Sequence, residues 1–193
     1  MMHGFSEFVA RRKAWQVFLL LVLPMFISQF LILSNMPSHS SMSQPPSMET
    51  FDALFTQTML MSFLMMILLL GWLLSIGFAA NRRVKQELRQ KTRLAIGCAI
   101  YAASYIGLAS FLWPSPGSFS SEPGSMGLIV PLHLLAMVAM FYVLAFAAKN
   151  VIMAERQAAI SFFDYSGPFF LMWFFPVGVW LVQPRVNRLV AHH

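Results

Sequence analysis

Few residues in this chain of 193 carry charge, so the ionisable side chains that do occur inside or beside apolar runs are the first places to look for chemistry. His133 sits in an apolar run just after Pro131. A titratable group in hydrocarbon is costly and marks a site for proton handling or ligand contact. Two turns from the outer end of its helix, it would serve equally well as a polar tip at an interface. Asp164, Arg185 and Asn187 flank a second unusual stretch, FFDYSGPFFLMWFFPVGVWLVQPRVNR, at 162–188. If that stretch turns back on itself, Asp164 and Arg185 emerge on one face and can pair through a bidentate contact. Such a pair would pin the structure; the alternative role is a polar vestibule for a solute or partner. Phe169, Trp173 and Trp180 fall at helical spacing and read as packing residues or interfacial anchors rather than a ligand cage.

Metal and covalent chemistry find less support. Met36, His39, Met42 and Met48 offer soft ligands suited to Cu(I), but their spacing closes no site. No nucleophile–base set, metal-ligand cluster, phosphate-binding glycine loop or pair of buried carboxylates can be read from the chain, so no cofactor is implied. Cys98 is the single cysteine and leaves no intrachain disulfide.

The elements that must position these residues are greasy. Apolar residues make up 58% of the chain and charged residues 10%, against roughly 25% charged in a soluble domain. The expected fold class is all-α: a single polytopic membrane helix bundle over 1–193, with transmembrane helices at about 15–33, 55–80, 94–113 and 126–148. The run at 169–182 is too short to span. As a helix its 14 residues cover only ~21 Å, whereas a bilayer core is ~30 Å thick. Pro176 and Gly178 interrupt it further. It reads as a kinked fifth crossing or as a re-entrant segment turning near Pro176–Gly178, and the latter is favoured because it keeps Arg185 and Arg188 on the side of the other cations. Residues 149–165 read as an interfacial or cytoplasmic helix.

Orientation follows the cations. Arg11, Arg12 and Lys13 precede the first apolar run; Arg82, Arg83, Lys85, Arg89, Lys91 and Arg93 fill the connection after the second; the two intervening Ser/Pro-rich loops have no Lys or Arg. The positive-inside bias puts the N-terminus in the cytoplasm. The net charge of +6 points to anionic headgroups rather than nucleic acid. The six cations of 82–93 form a candidate lipid or partner docking site, and Glu87 with Lys91 at i,i+4 suggests that the second helix continues past the bilayer. Small residues recur every four positions: Gly71, Ser75 and Ala79 on the second helix, and Ala95, Ala99, Ala103 and Gly107 on the third. Such stripes let membrane helices approach closely, which predicts antiparallel packing of these two helices.

The Trp-Phe-Phe-Pro-x-Gly-x-Trp and Gln-Pro-Arg-x-Asn elements of the C-terminal 30 residues resemble the signature of a family of small bacterial multi-pass membrane proteins. That resemblance implies a bacterial cytoplasmic (inner) membrane; it brings no activity and no catalytic residues. The sequence therefore favours a non-enzymatic accessory, scaffold or regulatory membrane subunit, with a membrane or cytoplasmic protein as partner. A small oligomeric transporter or channel lined by the broken C-terminal segment is the alternative, and an embedded enzyme ranks last. Oligomeric state is not readable from these patterns.

Overall fold

The computed structural model describes residues 2–35, 47–112 and 123–191. Among these residues the chain is all-α: α1 (Met2–Ala10), α2 (Ala14–Asn35), α3 (Met48–Asn81), α4 (Thr92–Leu112), α5 (Pro123–Arg156), α6 (Phe162–Trp173) and α7 (Phe175–Ala191), with a single 3-10 turn at Gln86–Leu88. Three helices are long and apolar enough to cross a membrane, over Ala14–Ser34, Glu49–Asn81 and Ile129–Arg156; the apolar part of α4, Thr92–Leu108, is shorter. Large apolar side chains face outward on these helices, among them Phe30 at 73%, Phe26 at 66% and Val138 at 62% exposure. A water-soluble monomer rarely leaves so broad an apolar surface uncovered. Met36, His39 and Met42 lie outside the described residues.

α3 is the hub, touching α1, α2, α4, α5 and α7, while α5 lies against α3, α4 and α6. α3 starts about two turns earlier than its apolar run suggests. Ser47 accepts a hydrogen bond from the Thr50 N–H at 3.2 Å, and Glu49 stands in the first turn. A hydroxyl cap and an acidic residue at the positive end of the helix dipole both favour a start there, so polar residues that look like loop are helix. At its other end α3 stops at Asn81. The Asn81 side chain donates to the Gln90 carbonyl at 3.0 Å and accepts from the Gln90 N–H at 2.9 Å. The Arg89 guanidinium donates to the carbonyls of Val84 and Arg82 at 3.0 and 2.7 Å. These bonds fold 82–91 into a compact turn, and Glu87 and Lys91 share no helix.

Residues 149–156 are not a separate helix but the end of α5. Gln157, with φ 52°, closes α5 in the left-handed conformation common at helix ends. Its side-chain amide donates to Ala154 O at 2.8 Å and Arg83 O at 2.7 Å, and its carbonyl oxygen accepts from the Lys85 N–H at 3.1 Å. One residue thus ends α5 and ties it to the basic turn.

α6 and α7 form a helical hairpin. α6 runs antiparallel to α5: Asp164 sits by Arg156, and Phe169 and Trp173 lie against Phe141, with the Trp173 and Phe141 rings stacked at 4.2 Å. α7 runs back along α2: Trp180 contacts Phe18 at 5.6 Å between ring centroids, and Asn187 reaches the Arg12 carbonyl. The break falls at Phe174 (φ −86°, ψ 59°), ahead of the Pro176–Gly178 position expected from composition. Pro176 instead occupies the first turn of α7, where its missing N–H leaves no intrahelical bond unmade. Gly178 is the residue the turn requires: a Cβ there would lie 1.7 Å from the Leu171 carbonyl oxygen.

The small-residue stripes are used unevenly. Ser75, Ala79, Ala95 and Ala99 are buried and Ala103 partly so, and Gly107 seats the ring of Phe63 from α3. A Cβ on Gly71 would meet nothing within 4 Å. α3 also lies close against α5, where Gly77 faces Phe146 and the Ala147 backbone. Gly107→Leu should overpack the Phe63 contact and cost about 1–3 kcal/mol. Leu108→Ala trims a side chain that is 58% exposed. Melting in detergent should rank Gly107→Leu well below Leu108→Ala.

Candidate functional site

The Gln-Pro-Arg-x-Asn element is a latch. Gln183 is fully buried on α7. Its amide nitrogen lies 3.1, 3.3 and 3.0 Å from the carbonyl oxygens of Val9, Ala10 and Arg12, and 3.2 Å from the Asn187 side-chain oxygen. Its two hydrogens are shared among these acceptors. Its oxygen accepts from the Trp72 indole N–H at 2.9 Å, and the Asn187 amide donates to Arg12 O at 3.1 Å. The last carbonyls of a helix have no intrahelical donor, and leaving them unpaired away from water is costly. Gln183 and Asn187 satisfy the end of α1 and join α1, α3 and α7 at one point. Arg12 also lays its guanidinium 3.8 Å from the centroid of the Phe8 ring.

At the mouth of the hairpin the two charge pairs differ from the Asp164–Arg185 pair expected. Asp164 pairs with Arg156, and Arg185 Nε lies 3.6 Å from a Glu155 oxygen. Both partners come from the last turn of α5, because the hairpin straddles the end of that helix. The Asp164 carboxylate also accepts from the Ser161 hydroxyl and from the Ser161 N–H, each at 2.8 Å, which caps α6. These Ser161 bonds first, then Arg156, hold its pKa below the ordinary carboxylate value. A depressed carboxylate stabilises the fold above its unfolded pKa, and the contribution fades as pH falls through the folded one. Hydrogen exchange in the first turn of α6, corrected for intrinsic rates, should therefore stay flat from pH 8 to about pH 5 and rise only in stronger acid. In Asp164→Asn that acid-dependent rise should be absent.

All 13 Lys and Arg of the chain gather at the end of the bundle where α1 meets α2, α3 turns into α4, α5 ends and the hairpin opens. Hydrogen bonds tie that end together from Asn187 to Arg12, from Gln157 to Arg83 and from Asn150 to Gln90. The six cations of the basic turn split into two groups. Arg83 donates to Ala79 O at 2.7 Å, Arg89 holds the turn, and Arg82 is half-buried. Lys85, Lys91, Arg93 and Arg89 are exposed, but Arg89 is held by its two bonds to the turn's carbonyls, which leaves the other three side chains to face outward.

Farther from this pole, α3, α4, α5 and the tip of α6 enclose a half-open cavity of about 270 Å³. Its walls include Leu69, Ala102, Ala136, Trp173, Tyr105 and His133. The Tyr105 hydroxyl and His133 Nδ1 share a hydrogen bond at 3.2 Å, with ring centroids 5.6 Å apart. One turn away, Tyr101 donates to the Leu132 carbonyl at 3.1 Å. His133 Nε2 has no hydrogen-bond partner among the described residues. The cavity exists because the hairpin turns at Phe174 and fills only the part of the bundle nearer the cationic pole.

No group of three or more His, Cys, Asp or Glu able to hold a metal ion is present among the described residues. No protein-family model matches the chain, and no curated protein or solved structure matches it.

Sequence reasoning named His133, Asp164, Arg185 and Asn187 but assigned them no partner that the structure retains. It missed Tyr105, Trp72 and Gln157 altogether. Tyr101 and Tyr105, one turn apart on an otherwise small and aliphatic helix, were the available signal for the first; Trp72 and Gln157 act through distant parts of the chain and left none.

Proposed function

We propose that this chain is a multi-pass protein of a bacterial cytoplasmic membrane, crossing four times through α2, α3, α4 and α5, with α6–α7 as a re-entrant hairpin. Its N-terminus, basic turn and C-terminus face the cytosol. The observation that carries this reading is the collection of every Lys and Arg at one pole of the bundle, the distribution that the positive-inside bias produces. α4 contains 21 residues, about 31 Å of helix, enough to cross a ~30 Å core.

Its role is that of a non-enzymatic accessory or scaffold subunit. The exposed cations Lys85, Lys91 and Arg93, on a turn held rigid by Asn81, Arg89 and Gln157, present a preformed surface to anionic headgroups and to an acidic partner protein. Each basic residue near an anionic surface contributes about 1 kcal/mol. An apolar cavity offers no path for a hydrophilic solute, which weighs against the transporter reading.

The test is affinity purification of the tagged chain at native expression level. A specific protein should co-purify, and reversal of these three cations (Lys85→Glu, Lys91→Glu, Arg93→Glu) should release it while membrane insertion is retained. Recovery of no partner, or a recovered set indifferent to the reversal, would contradict the scaffold role.

A further inference from the structure

The cavity beyond the hairpin tip matches one kind of occupant. Its volume of about 270 Å³ is well above the ~150 Å³ of an apolar cavity that takes up benzene. None of its lining residues carries a Lys, Arg, Asp or Glu charge, so a charged headgroup would enter it unpaired and at high cost. Its lining includes Tyr105 and His133, joined by a hydrogen bond. Whichever of the two donates in their shared bond, His133 Nε2 remains open to one further hydrogen bond, as donor or acceptor according to the tautomer. His133 lies 16 residues from Lys149 on α5, about 24 Å along the helix and hence within a ~30 Å core. There, no water is at hand to satisfy it.

We infer that this cavity is a binding site for a neutral lipid: a hydrocarbon or isoprenoid body in the chamber, with a hydroxyl or carbonyl oxygen hydrogen-bonded by His133 and Tyr105. The inference rests on the membrane placement proposed above. Trp173, in the cavity wall, supplies a reporter. Met66, Met137, Met140 and Met172, also in the lining, give that wall an adaptable surface, as thioethers do.

The experiment uses the full chain in phosphatidylcholine nanodiscs, where incorporation and sidedness are checked separately from binding. Two probes carry the proposed head chemistry: a brominated long-chain alcohol and a short-tailed quinone, which separate an acyl-lipid source from a quinone source. A brominated alkane without a head and a brominated-chain phosphatidylcholine are the controls. At least one neutral-headed probe should quench a saturable fraction of tryptophan emission that is lost in Trp173→Phe. Tyr105→Phe and His133→Leu should each weaken it about tenfold, the effect of one hydrogen bond. Ala136→Leu should abolish it by filling the chamber, with melting of the empty protein retained; Ala102→Leu does the same from the α4 wall if Ala136→Leu fails to fold. Non-saturable quenching, equal quenching by the headless alkane or by phosphatidylcholine, or indifference to the filling variants would overturn the site. Those outcomes leave incorporation and sidedness untouched, so they are distinct from failure of the membrane reading.

Discussion

Gly178→Ala is expected to open the C-terminal hairpin, since a Cβ there meets the closest obstruction among the described glycines. The added carbon would fall 1.7 Å from the Leu171 carbonyl oxygen and 2.4 Å from its carbon. Both are backbone atoms, so no rotamer change relieves the clash; α6 and α7 must separate. The tight break at Phe174 and the burial of Met172, Val179 and Val182 all depend on that contact. A loss of about 4 kcal/mol or more is expected, in the range that marks a broken structural device rather than a trimmed contact. Gly71→Ala is the matched control, since a Cβ there meets nothing within 4 Å and alanine is favoured over glycine in a helix interior. It should be neutral or stabilising by up to about 1 kcal/mol. Melting in detergent, together with hydrogen exchange over 170–190, would distinguish them. Equal behaviour of the two variants would mean that the hairpin is not packed as described.

The second large effect is expected at Gln183. Gln183→Leu nearly keeps the volume but removes every polar contact that the Gln183 side chain makes. The Trp72 N–H, on a side chain only 2% exposed, loses its acceptor, and the Ala10 carbonyl at the end of α1 loses the Gln183 donor, while Val9 O keeps the Arg12 N–H at 3.1 Å. Unsatisfied buried groups cost about 1–3 kcal/mol each; because Asn187 still reaches Arg12, the total should be about 2–4 kcal/mol. The loss should be local first: amides of α1 should exchange faster while those of α3 and α5 stay protected. Asn187→Leu should show a smaller version of the same pattern. Uniform loss of protection across all helices would show that Gln183 holds the bundle as a whole and not the α1 junction.

These residues also show what the sequence could and could not reveal. The hairpin was legible because 169–182 is too short for a bilayer and is broken by proline and glycine, and because the cations on either side of it match those elsewhere. The exact turn was not: Phe174 carries no breaker signal, and Pro176 sits where a helix start tolerates it. The latch residues could be singled out by type, but their partners on α3 and around the end of α1 lie 111 to 175 positions away, beyond any local pattern. α1 escaped notice because among its described side chains the small Ser6 and Ala10 are buried while Phe8 points outward, opposite to what hydrophobicity suggests. The Asp164–Arg185 pairing failed for a related reason. Both charges lie at the mouth of the hairpin, but the end of α5 stands between them and supplies a nearer partner to each.

Whether α6–α7 re-enters decides on which side of the membrane the end of α7 lies, and two-sided cysteine labelling tests it most directly. In a Cys98→Ala background, single cysteines at Gln86, in the basic turn, and at Ala191, at the end of α7, are exposed to a membrane-impermeant maleimide in intact cells and in inverted vesicles. Both should react only in inverted vesicles. Labelling of Ala191→Cys from outside intact cells, with Gln86→Cys protected, would make the last segment a fifth crossing and contradict the account.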